Sequence, residues 1–216
     1  MPCHRVGMRI GIIGSGNVGG TLGRRWASNG HTVFFATRDP QSAAIRRLLA
    51  ESGPTAAAGS LHDAVAQSDL VLLATPWPAT RQMLEAAGDF GNRILIDATN
   101  PVAPDLSGLE CANTTSGAES VAQWAPTARV VKAFNTVGNN VMADPAFPAP
   151  VALFYCGDNA SAKQTVAPLI RELGFDAIDA GPLSQARVLE PFALLWISLA
   201  VKSGYGREIA FQFMRR

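Results

Sequence analysis

Cysteine is scarce in this sequence. Cys3, Cys111 and Cys156 stand far apart, odd in number and without a C-x-x-C pair. That excludes a disulfide framework and a thiolate redox or zinc motif, and it suits a reducing, cytoplasmic setting. Histidine is equally sparse: His4, His31 and His62 are scattered, so no metal-ligand spacing is visible. Charged residues make up only 16% and nearly cancel, to a formal +1. The basic footprint of a protein that binds nucleic acid or an anionic membrane is therefore missing. The longest apolar run, Pro191 to Val201, falls well short of the roughly 20 residues a membrane helix needs. Met1 to Gly7 carries His and Arg but no apolar h-region, so it reads as a disordered leader rather than a signal peptide. No Ser–His–Asp, Cys–His or paired-carboxylate arrangement stands out, and there is no internal repeat or linker. Residues 8–216 read as a single domain.

What the chain has in quantity is apolar residues, 48% of the total. So high a share against so little charge supplies an ample core and leaves apolar surface for a subunit interface. The most informative stretch is Met8 to Gly20, MRIGIIGSGNVGG. A short apolar run meets Gly14, Gly16 and Gly19 in the pattern G-x-G-x-x-G, and Leu22, Trp26 and Ala27 then recur at helical spacing. A strand enters, the glycines turn the chain, and a helix leaves from Asn17 to Ser28. Gly14 permits the tight turn, Gly16 lets backbone approach a pyrophosphate, and Gly19 lets helix pack on strand. The helix start aims free N–H groups and a partial positive charge at phosphate.

The second strand, His31 to Ala36, ends in Thr37-Arg38. NAD-binding proteins usually place Asp or Glu there for the ribose 2′-OH. A hydroxyl and a guanidinium suit a 2′-phosphate, which a carboxylate would repel, so the pair favours NADP over NAD. Asp39 is expected to turn away into the cap of a helix over about 40–51. Ser60 and Asp63 read as a capping box. The continuously apolar strand Leu70 to Ala74 ends in Thr75-Pro76-Trp77-Pro78, a stiff loop. Such strand ends are where open parallel sheets bind ligands. Trp77 is expected either to wall the nicotinamide or to cover the core. Further strands are expected at 94–97, 129–133, 151–156 and 175–178, with helices at 79–87, 119–124 and 160–173. A polar segment at 105–116 reads as a lid. Lys132 invites a reading as a catalytic acid, set against a structural role. The segment 189–201 is apolar nearly all round and is expected to be a buried helix closing the sheet or meeting another subunit. The fold class is α/β: a Rossmann-type doubly wound, mostly parallel sheet with an apolar C-terminal helix.

The chain resembles the NADP-dependent reductases of the deazaflavin coenzyme F420 and the related NADPH-binding domains of metalloreductases. The resemblance runs over nearly its whole length. Its markers are Gly14-Ser15-Gly16-Asn17-Val18-Gly19, Thr37-Arg38, Thr75-Pro76-Trp77, Lys132-Ala133-Phe134-Asn135-Thr136, Gly181-Pro182-Leu183 and Gly204-x-Gly206. It implies pyrophosphate on the glycine loop and the 2′-phosphate on Thr37 and Arg38. It further implies nicotinamide against Thr75 and Pro76 and against Asn135, Thr136 and Val137. Hydride then passes directly to a deazaflavin, with FMN or FAD as the second choice of acceptor. A basic residue often follows the family's Arg, where this chain has Ser42, with Arg46 and Arg47 further on; weaker NADP affinity follows.

The expected protein is thus a cytoplasmic NADPH-dependent oxidoreductase and homodimer acting on a small-molecule hydride acceptor, with no metal and no diagnostic catalytic side chain. Two alternatives stay open: a reductase of a small carbonyl or imine, and a non-catalytic NADPH-binding redox sensor. The segment from Gly181 onward is too short for the large helical substrate domain of the first.

Overall fold

The computed structural model describes residues 7–216; the expected leader lies, apart from Gly7, outside the described residues. Six parallel strands form the main sheet: β1 (Arg9–Ile13), β2 (Thr32–Ala36), β3 (Ala56–Gly59), β4 (Leu70–Leu73), β5 (Ile94–Asp97) and β6 (Arg129–Lys132), in the order β3-β2-β1-β4-β5-β6. This is the doubly wound topology, with its switch point between β1 and β4. A second parallel pair, β7 (Ala152–Tyr155) and β8 (Asp176–Asp179), is joined to β6 by an antiparallel bridge between Lys132 and Cys156. That one joint makes the eight strands mostly rather than wholly parallel.

Strand β4 is apolar at every position because both of its faces are covered. Leu70 and Leu72 of β4 enter one core with Ile10, Ile12, Ile94 and Ile96. Val71 and Leu73 enter the opposite core with Ile13 and Leu95. The period-2 alternation thus divides one apolar run between two cores. The first core is covered by α1 (Asn17–Ser28), α2 (Ala43–Ser52), α6 (Asn139–Ala143) and α7 (Ala160–Arg171). The second lies under α3 (Leu61–Ala66), α4 (Trp77–Ala87), α5 (Gly117–Trp124) and α8 (Ala186–Ile197).

Local sequence explains most boundaries. The capping box is present: Ser60 Oγ accepts from Asp63 N at 3.1 Å, and Asp63 accepts from Ser60 N at 3.3 Å. Other boundaries differ from expectation. Asp39 does not cap α2. Its carboxylate accepts from Gln41 N at 2.9 Å in a local turn, and Ser42 accepts from Ile45 N instead. Helix α4 begins at Trp77 rather than Ala79, because proline is favourable in a first turn. The short α6 was not foreseen.

The apolar C-terminal helix is only half buried. Leu189, Ala193 and Trp196 face inward, but Val188 is 61% exposed and Leu195 48%, with Val201 beyond the helix at 57%. The inward face packs on the sheet; the outward face has no cover among the described residues. Among the described residues, no helix is long and apolar enough to cross a membrane.

Candidate active site

The glycine loop is the clearest part of the site, and its three glycines are glycine for different reasons. Gly14 has φ +101°, and a Cβ there would lie 2.5 Å from the Ala74 carbonyl oxygen. A Cβ on Gly19 would collide with the Gly14 carbonyl oxygen and press on Ile12. Both requirements are internal to the fold. Gly16 is another matter. Its φ of −75° is open to any residue, and a Cβ there would meet nothing within 4 Å. Nothing in the described chain requires glycine at this point, so the missing side chain leaves room for something outside the chain. Gly16 is also the N-cap of α1, so no side chain caps that helix, and its first turn carries no acid. The first-turn amides are left for an anion.

A cavity of about 420 Å³ opens beside this loop. Gly14, Ser15, Thr37, Arg38 and Thr75 line it, with Met83 of α4 on the far wall. The ends of β1, β2 and β4 thus converge on one space, as the topology dictates. Arg38 is exposed and has no ion-pair partner among the described residues. Thr37 Oγ1 accepts from Asp39 N at 3.2 Å, and the Asp39 carboxylate is engaged in its own turn, away from competition for the guanidinium.

Gly16 and Asn17 line an adjoining cavity of about 500 Å³ between α1 and α2. Arg47 belongs to that second space and pairs with Glu51 at 2.7 Å, as Arg24 does at 3.3 Å. Arg47 therefore does not reinforce Arg38 on the first cavity. Val18 and Gly19 lie in the first turn of α1. Pro76 is exposed at the start of α4. Trp77 turns onto Trp124, with ring centroids 5.4 Å apart, and lines neither cavity. Of its two expected roles, covering the core is the one the geometry supports.

Asn135, Thr136 and Val137 follow β6 and are buried, at 5%, 1% and 7% exposure. They line neither cavity. Phe134 before them sits at φ +65°, rare for a bulky residue, with its ring edge-on to Trp26 at 5.7 Å. Asn135 Nδ2 donates to Asn100 Oδ1 at 3.1 Å and to the Leu189 carbonyl at 3.2 Å, and Asn100 Nδ2 donates to the Asn135 carbonyl at 2.9 Å.

Of the two readings of Lys132, the geometry supports the structural one. The side chain is fully buried and bonds to Asp97 at 2.9 Å, Glu190 at 2.8 Å and the Thr99 carbonyl at 2.6 Å, which engages all three of its protons. Burial acts to lower its pKa, but the two carboxylates outweigh that and hold it above the ordinary lysine value. The charge is locked between the two carboxylates. The sequence reading missed Asp97, Glu190 and Asn100 as partners. The one available signal was Glu190 itself, a lone acid at the head of the apolar run in α8. The two described cysteines are unreactive by environment: burial, and second the Glu190 carboxylate, push the Cys111 thiol up to about 11, and burial pushes Cys156 up to about 12.

With this geometry in place, comparison with known proteins is direct. Residues 9–101 match the family model described as NADP oxidoreductase, coenzyme F420-dependent. A crystal structure described as a candidate F420-dependent NADP-reductase from Arthrobacter sp. FB24 superposes with a TM-score of 0.87 at 33% identity, covering 97% of this chain and all of that one. The F420-dependent NADP reductase of Methanothermobacter thermautotrophicus is 29% identical, over 91% of this chain and 90% of its own. The metalloreductase STEAP3 of Rattus norvegicus is 27% identical over 86% of this chain, but the chain spans only 36% of that protein's length. The resemblance read from the sequence motifs and the superposed fold agree: the chain belongs to the family of coenzyme F420-dependent NADP oxidoreductases and is an NADP-dependent oxidoreductase.

Proposed function

We propose that this protein transfers hydride between NADP(H) and a deazaflavin ring, binding the dinucleotide across the ends of β1, β2 and β4. The observation that carries the reading is Gly16, a glycine that the fold does not need, at an uncapped helix start lining a cavity of about 500 Å³ that adjoins the one at the strand ends. In this reading the amides of Gly14 to Gly19 hold the pyrophosphate, with Ser15, Asn17 and Val18 in the same turn. Thr37 and Arg38 take the 2′-phosphate, and the unpaired guanidinium supports that role. Thr75, Pro76 and Asn135 to Val137 flank the nicotinamide end. Bound NADPH supplies a hydride, two electrons with their proton, from its nicotinamide ring. The chain's own part is to place donor and acceptor atoms in contact and to exclude water. The engagement of Lys132 with its carboxylates is consistent with a site that moves no proton through a side chain.

A second copy of the chain on the outward face of α8 completes the proposal. Val188, Leu195 and Val201 leave that face apolar and open. The cytoplasm, where NADPH is kept reduced, is the proposed location. The test is NADPH oxidation by the purified protein with a deazaflavin, FMN and FAD offered in parallel. Rapid turnover with the deazaflavin supports the reading. Preference for FMN or FAD moves the acceptor to a flavin. Tight NADPH binding without oxidation by any of the three refutes it.

A further inference from the structure

Below the loops that follow β5 and β6 lies a closed ring of polar contacts that the hydride-transfer chemistry does not use. Glu190 is at its centre, fully buried on α8. Its carboxylate accepts from Gly117 N at 2.8 Å and Ala118 N at 3.0 Å at the start of α5, and pairs with Lys132 at 2.8 Å. Lys132 reaches on to Asp97 and the Thr99 carbonyl in the strand β5 and its loop. The next residue, Asn100, exchanges two hydrogen bonds with Asn135. Asn135 closes the ring on the carbonyl of Leu189, the neighbour of Glu190.

We infer that Glu190 is a positioning residue for the nicotinamide end of the site: it anchors α8 so that the Leu189 carbonyl and Asn100 hold Asn135 and Thr136 in register. This rests on the reading that puts the nicotinamide at Asn135 to Val137. Three observations favour positioning over mere stability. A fully buried carboxylate is a costly way to stabilise a helix, and packed apolar residues usually do as well or better. The loop it serves begins at Phe134 in a strained conformation, which persists only where neighbours over-determine it. Trp26 fixes that residue from one side, and the Asn100 and Leu189 contacts fix the next one from the other. Finally, Asn135 Oδ1 and Thr136 Oγ1 are buried without a partner among the described residues, so the loop carries acceptors that the fold itself leaves unused.

The test separates the two ends of the dinucleotide. Affinities for NADPH and for 2′,5′-ADP, which lacks the nicotinamide half, are measured by titration on the wild type, on Glu190→Gln and on Asn100→Asp. Asn100 is only half buried, so its variant stands in if Glu190→Gln does not fold. The expected result is NADPH binding weakened about tenfold with 2′,5′-ADP binding unchanged, since small misplacements of positioning groups are costly at a reacting centre. NADPH affinity within about twofold of wild type in the folded variants overturns the inference, as does an equal loss for both ligands. A wild type that gains no affinity from the nicotinamide half refutes the placement beneath it, and the inference falls with that placement.

Discussion

Replacement of Arg38 by alanine should weaken NADPH and leave NADH nearly untouched. The magnitude follows from the surroundings of the guanidinium. Arg38 is exposed, so a phosphate beside it is partly solvated. Two unit charges about 4 Å apart attract by roughly 1 kcal/mol in water and roughly 4 kcal/mol at an effective dielectric of about 20. A surface site beside a cavity lies between these limits, and a charge-assisted hydrogen bond falls in the same range. A loss of about 1–3 kcal/mol corresponds to an approximately 5- to 150-fold higher Kd for NADPH. No carboxylate pairs with Arg38, so its removal leaves no uncompensated charge behind and the effect is confined to the ligand. Arg38→Lys should recover part of the loss, because the charge returns but the bidentate geometry does not. The assay is calorimetric titration of both nucleotides on wild type and variants, at low salt and again at about 0.5 M. The NADPH advantage should shrink with salt, since exposed charges are screened. Equal losses for NADPH and NADH would refute the assignment of Arg38 to the 2′-phosphate.

Further predictions concern the other groups described. Gly16→Ala should leave the melting temperature within about 2 °C of wild type yet weaken NADPH at least tenfold, because its Cβ meets no protein atom but stands where the pyrophosphate belongs. Gly19→Ala should instead unfold well below wild type, through the clash with the Gly14 carbonyl; the same thermal and binding measurements separate the two. Lys132→Met leaves Asp97 and Glu190 buried without their cation and should cost about 3–5 kcal/mol by urea titration; a loss under about 1 kcal/mol contradicts the pairing. The Lys132 pKa is raised by folding, so its contribution is fully present below the unfolded value of about 10.4 and is lost only as pH rises through the folded one. The Lys132 proton itself should therefore add no pH dependence to the stability of the wild type between pH 6 and pH 9. In a Cys3→Ser background, Cys111 should alkylate with iodoacetamide at pH 7.5 at least about tenfold more slowly than a free cysteine thiol, following its thiol pushed up to about 11.

The backbone of the main sheet was legible from local pattern. Helix α1 and strand β5 stand at Asn17–Ser28 and Ile94–Asp97, where local sequence placed them. The convergence of Thr37, Arg38 and Thr75 on the glycine loop was legible too, since a doubly wound order brings those strand ends together. Two things were not. The direction of Lys132 within β6 depends on which core each face of the strand meets, and the four residues Arg129 to Lys132, charged at both ends, carry no alternation to reveal it. Trp77 joins Trp124 of α5, far along the chain, rather than the cavity at the strand ends.

The sequence alone determined the fold class and the glycine loop, whose reasons are local: glycine conformation, helix capping and strand periodicity. Only the tertiary structure decided that Gly16 is free of the fold's own demands and that Glu190, more than fifty residues from Lys132, completes its ion pair. The same holds for the outward face of α8, which stays open. Each of these depends on surfaces brought together from distant parts of the chain, and sequence spacing carries no record of such meetings.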